Sequence, residues 1–342
     1  MKRALIIGVN GQDGSYLAEL LLDKGYQVTG WVRNYHHSSL HNLCEIQGQI
    51  DIVEGDLTRP DIFHDCLTRT YPDEIYNLAA PSLPFASWQD PVQVSELAGV
   101  GVVRLLEAIR NDRPGARLYQ ASSSEMFGVP LEEPQSEATP FNPRNPYGAA
   151  KLLAHQMVAN YAQKFGLFAV SGILFNHESP RRGFDFVTRK ITLTAAAIKL
   201  GLAQTLALGD LQARRDWGYA PDYVQAMWPM LQQSTPQTFV IGTGITHTVQ
   251  NVCEIAFGHL GLDFRDYVIQ DQSLLRPKEK RQLVANAEKA RQVLGWRPSL
   301  TFTEMIQNMV TSDLDFLMNT DRFQTTPVSC AELETINQGL AT

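Results

Sequence analysis

Cysteine is sparse in this 342-residue chain and is spaced for no shared role. Cys44, Cys66, Cys253 and Cys330 lie far apart, with no C-x-x-C pair and no metal-ligand spacing. That argues against a disulfide framework and against a structural metal site, and it reads as reduced thiols. Long apolar runs are missing as well: no stretch approaches the roughly 18 residues of a membrane span. The opening Met1–Gly8 has a basic pair, but its apolar run is too short for a signal peptide. The expectation is a cytoplasmic protein with no membrane partner and no metal. Positive charge is in deficit too, 29 Lys and Arg against 36 Asp and Glu, and the net charge of −7 argues against nucleic acid as the main partner. There are no repeats, low-complexity tracts or long linkers. What is left, 44% hydrophobic and 19% charged, is an ordinary globular composition with enough chain for one large or two fused domains.

The first informative stretch is Ala4–Ile7, a short apolar run that ends in Gly8-Val9-Asn10-Gly11-Gln12-Asp13-Gly14 and leads into a helical pattern through Tyr16, Leu17, Leu20 and Leu21. Strand, glycine turn and helix form the opening unit of a dinucleotide fold, whose glycines let backbone amides and a helix N-terminus approach a pyrophosphate. Further strands are expected at 27–32, 52–57, 74–80, 117–121 and 170–174, with helices at 100–109 and 187–200. This alternation predicts an α/β fold, a Rossmann-like doubly wound parallel sheet with a smaller C-terminal α/β substrate-binding domain. The second strand ends in Arg33 where a carboxylate would receive a ribose 2′-hydroxyl, which favours NADP over NAD. Asp56, closing the third strand, reads either as a contact to the adenine or as the N-cap of the next helix. His36, His37 and His41 lack a carboxylate or cysteine at ligand spacing and read as a polar loop.

The fifth strand runs into Ser122-Ser123-Ser124-Glu125, and Tyr147 and Lys151 follow four residues apart on a helix. That spacing puts both side chains on one face, where the lysine charge would hold down the tyrosine pKa and keep a phenolate within reach of neutral pH. The pair can then take a proton from an alcohol while a cofactor takes the hydride. For Glu125 a capping role in a strand-end serine cluster stands as the alternative. Arg214-Arg215-Asp216-Trp217 sets paired guanidinium groups beside an aromatic, suited to a diphosphate. Trp217 and Trp296 read as core rather than as platforms for a base.

Taken together, Gly8-x-x-Gly11-Gln12-Asp13-Gly14-Ser15-Tyr16-Leu17-Ala18, Gly55-Asp56-Leu57-Thr58, Tyr119–Glu125, Pro146–Lys151, Gly172–Gly183, Phe186–Lys190, Arg214–Gly218, Arg276-Pro277-x-Glu279 and Leu294–Pro298 resemble the GDP-mannose 4,6-dehydratase family of extended short-chain dehydrogenases over residues 1 to about 315. The resemblance implies an internal redox cycle on a nucleotide sugar, with NADP as a cofactor that never leaves. It assigns catalysis to Ser123, Glu125, Tyr147 and Lys151, with Ser123 where the family has threonine. It places Gly8, Asn10, Gly11, Gln12, Asp13, Gly14, Arg33, Asp56, Leu57, Leu78, Ala80, Ser82, Tyr147, Lys151, His177 and Arg182 against the cofactor. Ser82, Ser123, Glu125, Asn176, Val187, Lys190, Arg215, Arg276 and Glu279 fall to the substrate. It further implies a Rossmann domain over 1–170, a mainly nucleotide-sugar-binding domain over 171–318, a tail over 319–342, and a homodimer or homotetramer built through the helices near residues 100 and 150. The sequence departs from the family pattern at Pro81 and Leu83, beside the sugar, and at Lys280 and Arg281. A 4-epimerase or a decarboxylase would share Tyr147 and Lys151, and a non-catalytic regulator that kept the fold would bind the same ligands.

Overall fold

The computed structural model describes residues 1–35, 37–82, 84, 86–275 and 281–320. Its first half alternates strand and helix: β1 (Arg3–Ile7), α1 (Gln12–Asp23), β2 (Gln27–Val32), β3 (Asp51–Glu54), α2 (Pro60–Thr70), β4 (Glu74–Asn77), α3 (Pro91–Ser95), α4 (Gly101–Asp112), β5 (Arg117–Ser123), α5 (Pro146–Phe165) and β6 (Ala169–Leu174). The second half holds β7 (Asn176–Glu178), α6 (Val187–Lys199), β8 (Leu206–Leu208), β9 (Arg214–Tyr219), α7 (Ala220–Gln232), β10 (Phe239–Ile241), β11 (Thr246–Thr248), α8 (Val249–His259), β12 (Val268–Gln270), α9 (Glu288–Leu294) and α10 (Phe302–Thr320).

Seven strands form one sheet in the order β10-β6-β5-β4-β1-β2-β3, every pair parallel. Sequence order reverses between β1 and β4, and the crevice at the carboxyl ends of strands beside such a reversal is where ligands bind in doubly wound sheets. Helices cover both faces, so the central strands are buried on both sides and read as continuous apolar runs such as Leu5-Ile6-Ile7. One core lies under α1 and α7 and a second under α2, α4 and α5. The expected doubly wound sheet is therefore the fold of the chain, with one strand more than the sequence pattern had indicated.

The sheet also buries polar side chains, among them Gln120 and Ser122 of β5. Those two are satisfied. Gln120 accepts from Asn77 Nδ2 at 2.7 Å and donates to the Ala121 carbonyl at 2.9 Å, while Ser122 pairs with His155 Nδ1 at 3.1 Å. A third core fills the C-terminal region, where α6, α8 and α10 pack around Trp217. Two small sheets, β11-β9-β7 and β12-β8, complete that region. No helix among the described residues is long and apolar enough to cross a membrane.

Inside this third region, Arg189 of α6 meets Asp313 of α10 at 2.6 Å, both almost fully buried. Thr192 donates to the same carboxylate at 2.6 Å, and Arg189 also donates to the carbonyls of Pro180 and Arg182. Burial pushes the Asp313 carboxyl up to about 6, and the Arg189 charge opposes that rise. Removing one partner of such a pair leaves the other charge uncompensated. Arg189→Met is expected to lower unfolding free energy by about 3–5 kcal/mol, measured by urea denaturation; a loss below about 1 kcal/mol would place the pair among those worth no more than a surface ion pair.

Candidate active site

The turn between β1 and α1 leaves no room for side chains. Gly8 has φ +85°, and a Cβ there would sit 3.1 Å from the Ala79 backbone. A Cβ on Gly14 would lie 2.2 Å from the Gly8 carbonyl oxygen, so α1 presses directly on the turn that precedes it. Gly11 occupies the N-cap of α1 and supplies no side-chain cap. The first amides of the helix are thus left for an anion, as a pyrophosphate cradle requires. Asn42 Nδ2 donates to the Asn10 carbonyl at 3.0 Å and fixes the outer rim.

At the end of β2, the exposed Arg33 guanidinium lies 3.9 Å from Asp56. Asp56 accepts from the Thr58 amide at 2.8 Å, and α2 begins only after Arg59, its N-cap residue. The N-cap reading of Asp56 is therefore corrected: the carboxylate closes a local turn after β3. Leu57 is buried beneath the rim, and the Leu78 amide donates to Ile7 O at 3.0 Å. Ala80 packs against Val94, Ala98, Tyr147 and Ala150, whereas Ser82 is exposed.

β5 and α5 bring four predicted residues together. Asn145 caps α5, its Oδ1 accepting from the Gly148 amide at 2.7 Å, and Pro146 occupies the first turn, where its missing N–H costs nothing. Tyr147 and Lys151 follow one turn apart on the buried face of α5, with Lys151 Nζ 5.7 Å from the Tyr147 ring centre. Lys151 Nζ donates to the Ala121 carbonyl at 2.8 Å, which ties α5 to the end of β5. Ser123 lies close enough to Tyr147 to oppose the rise of its pKa, and its Oγ accepts from the Glu125 amide at 3.2 Å. Asn145 Nδ2 donates to Glu125 Oε2 at 2.8 Å.

Electrostatics here differ from the expectation. Burial pushes Tyr147 up to about 12, with the Glu125 charge adding to the rise and the Ser123 hydrogen bond opposing it. Burial also lowers Lys151 to about 8, and Asp13 pulls the other way. The lysine thus stays largely cationic at neutral pH but does not bring the phenol down; desolvation wins. The phenolate expected from the four-residue spacing is not a property of the protein alone.

The cradle and this cluster are joined by Asp13 and His177. His177 Nε2 stands 2.8 Å from Asp13 Oδ2, and its Nδ1 stands 2.7 Å from the Phe175 carbonyl. An acceptor on each ring nitrogen suits the imidazolium, and the ring stacks on Tyr223 at 4.6 Å. Against the cost of burial, Asp13 raises the His177 pKa. Burial likewise raises the Asp13 carboxyl, but His177 overcomes it and the net shift is downward. Gln12 donates to the His177 carbonyl at 3.2 Å and accepts from Ser179 at 2.8 Å. Arg182 pairs with Glu178 at 3.1 Å, stacks 3.4 Å over Phe186, and its charge is felt at both Asp13 and Tyr147.

The remaining predicted residues ride on other elements. Asn176 opens β7, its carbonyl accepting from Tyr223 at 3.3 Å; Val187 and Lys190 share the first turn of α6. Arg215 lies on β9 and donates to the Arg214 carbonyl at 2.6 Å. Arg276 and Glu279 lie outside the described residues. Trp217 and Trp296 are core, the latter donating to the Asp222 carbonyl at 2.7 Å. Two residues escaped the sequence reading: Asn145, and the fully buried Asp216, which accepts from the amides of Thr243, Gly244 and Ala285. The first carried a signal, an N-cap asparagine ahead of Pro-Tyr; the second had none.

The Asp13–His177 pair has a pH window. A raised histidine contributes stability below its unfolded value near 6.5 and loses it as pH rises through the folded value. A lowered aspartate contributes above its unfolded value near 3.8 and loses it as pH falls through the folded value. Unfolding free energy should therefore contain a component that is full between these values and falls on either side. In His177→Gln the alkaline fall should vanish from urea midpoints measured across pH, and an unchanged profile would show the pair to be electrostatically idle.

Residues 5–309 match the family described as GDP-mannose 4,6 dehydratase. GDP-mannose 4,6 dehydratase 2 of Arabidopsis thaliana is 46% identical over 328 residues, covering 92% of this chain and 87% of that protein. The Homo sapiens GDP-mannose 4,6 dehydratase is 43% identical over 341 residues, covering 92% of each. Among solved structures, dTDP-glucose 4,6-dehydratase from Bacillus anthracis in complex with NAD superposes with a TM-score of 0.80 at 23% identity, covering 94% of this chain and 98% of that one. RMD from Pseudomonas aeruginosa complexed with NADPH gives a TM-score of 0.78 at 21% identity, covering 92% and 100%. The two structures share the fold; the sequence relatives and the matched profile go further, and by them the chain belongs to the GDP-mannose 4,6-dehydratase family.

Proposed function

We propose that this chain is a hydro-lyase that converts GDP-mannose to GDP-4-keto-6-deoxy-mannose by an internal redox cycle. One observation carries the reading: a hydroxyl, a carboxylate, a phenol and an ammonium group converge at the end of β5, next to a glycine cradle that only a slim anionic chain could enter. Bound there, an oxidised nicotinamide would supply a positive charge and a reversible hydride acceptor for C4 and then C6. Tyr147 is held as a phenol by burial in the free protein; beside a bound oxidised cofactor it would give that proton to solvent, and as the phenolate it would accept the O4 proton. Ser123, beside Tyr147, would steady the hydroxyl being oxidised. The 4-ketone acidifies C5, and Glu125 takes the C5 proton and hands a proton to the departing C6 hydroxyl, which leaves as water. As C6 is reduced, Tyr147 would return its stored proton to C5. Atoms balance: one water is lost and the cofactor ends as it began. Gly8, Gly11 and Gly14 hold the pyrophosphate, with His177 and Arg182 closing the same side. Asn176, Val187, Lys190, Arg215, Arg276 and Glu279 serve the nucleotide sugar.

For the cofactor we infer NADP, because Arg33 follows β2 where a carboxylate would select NAD. The solved structures of this fold carry both NAD and NADPH, so the choice rests on this chain's own residue. We assign residues 1–170 mainly to the cofactor and 171–318 mainly to the nucleotide sugar, with α7 and β10 returning to the first unit. A homodimer or tetramer is proposed through α4 and α5, on which Leu153 and Phe165 are exposed.

Purified protein incubated with GDP-mannose and NADP+ should yield a sugar lighter by one water with no net NADPH, read by mass spectrometry. Glu125→Gln and Tyr147→Phe should each lose about 100-fold or more in kcat. A product of unchanged mass would point to an epimerase, loss of carbon dioxide from a uronic sugar to a decarboxylase, and bound ligands without turnover to a regulator. Arg33→Ala should weaken NADP+ binding about 10- to 100-fold, as loss of a charged hydrogen-bond partner does, and leave NAD+ binding within about twofold. Equal losses for both in a fluorescence titration would reject the assignment.

A further inference from the structure

Resting on the reading of Glu125 as the C5 base, we infer that Asn145 is the positioning residue that sets the reach of that base. Asn145 stands in extended backbone, φ −143° and ψ 162°, one residue before α5. Its planar amide is used at both ends. Oδ1 accepts from the Gly148 amide at 2.7 Å, and Nδ2 donates to Glu125 Oε2 at 2.8 Å. The amide orientation is fixed, because flipping it would set an NH2 group against the Gly148 N–H. An N-cap needs only the acceptor, which serine or aspartate supplies as well as asparagine. A carboxamide gives the helix its acceptor and a neighbouring carboxylate its donor on two separate atoms of one rigid group, whereas a serine hydroxyl has a single, shorter-reaching oxygen for both.

The backbone argues the same way. A Cβ on Gly148 would lie 2.5 Å from the Glu125 carbonyl oxygen, so the first turn of α5 rests on the main chain of Glu125. Side chain and main chain of Glu125 are therefore both registered to the helix end that carries Tyr147, which lies between Asn145 and Gly148 in sequence. The two proposed proton acceptors, for O4 and for C5, are set against each other through this one amide. Tying down Oε2 removes a rotational freedom from the carboxylate before the carbon acid forms, which is the kind of positioning whose loss costs rate rather than binding.

The test compares wild type, Asn145→Ser, Asn145→Asp and Glu125→Gln for kcat, KM for GDP-mannose, thermal midpoint, and enzyme-bound reduced cofactor during turnover, read by its near-ultraviolet absorbance. Asn145→Ser keeps the cap, so its midpoint should stay within about 2 °C. Its kcat should fall about 10- to 100-fold with KM within about threefold. Reduced cofactor should build up, because oxidation at C4 continues while loss of the C5 proton lags. Asn145→Asp should fall further and shift the acidic limb of its rate profile to higher pH, since a second carboxylate disfavours the ionised base. Wild-type kcat in Asn145→Ser beside an inactive Glu125→Gln overturns the inference and leaves the reaction standing. So does a loss that tracks the thermal midpoint with no build-up of reduced cofactor. A wild type that dehydrates no GDP-mannose, or a fully active Glu125→Gln, sinks the underlying reading and the inference with it.

Discussion

The site depends on the junction of α5 with the carboxyl end of β5. Lys151 Nζ donates to the Ala121 carbonyl at 2.8 Å, and the first turn of α5 lies directly on Glu125 because residue 148 is glycine; the Ser122–His155 and Asn145–Glu125 bonds add to the same junction. A parallel strand buried on both faces is stiff, and a 20-residue helix packed along it is stiff as well. Side chains at the junction inherit that stiffness, as positions on regular elements do and positions on long loops do not. The serine–glutamate turn is short and is held at both ends, by Ser123 Oγ and by Asn145. Hydroxyl, carboxylate, phenol and ammonium thus converge without any one loop having to fold around all of them.

Burial, rather than pairwise charge, sets the protonation of this cluster. Tyr147 is raised to about 12 and Lys151 lowered to about 8, each with desolvation as its largest cause. Around them Asp13 and His177 oppose the cost of burial for each other, while the Arg182 charge favours the Asp13 carboxylate and disfavours the imidazolium. The contrast has a consequence for order of events. In the proposed reaction, a phenol that burial holds protonated would become a base only once a cation joined it, so removal of the O4 proton would be coupled to the arrival of an oxidised cofactor. A site arranged this way is quiet when empty of its ligands, since neither half of the alcohol oxidation can proceed alone.

Much of this was legible in the chain. β2 spans Gln27–Val32, as its apolar pattern implied, and Val187 begins α6, because parallel strands and their crossover helices carry strong periodic signals. The placing of the proposed catalytic residues was legible for the same reason: they sit at strand and helix ends, where pattern boundaries mark them. β10 was not, since three apolar residues after a loop look the same whether they close a sheet or fill a helix turn. Asp216 was read only as a neighbour of Arg215, because nothing local announces that three distant amides will converge on it. The failed phenolate expectation has another cause. Spacing fixes which side chains meet, whereas the dielectric around them is decided by everything packed outside the motif.

The Arg33–Asp56 pair shows how far such reasoning reaches. Position alone makes Arg33 the residue that follows β2, and its charge is an argument for a phosphate. Yet its guanidinium stands 3.9 Å from a carboxylate that is itself anchored by the Thr58 amide at 2.8 Å. Thr58 and Arg33 both draw the Asp56 carboxyl below its usual range, the Thr58 amide most strongly. A 2′-phosphate meeting Arg33 would have to share it with that fixed negative charge, whereas an unphosphorylated ribose would meet Asp56 as an acceptor. Both groups are partly open to water, where a pair at this distance is worth little, about 1 kcal/mol or less. A doubly charged phosphate in bidentate contact outweighs that, so the arginine can turn from one partner to the other at small cost.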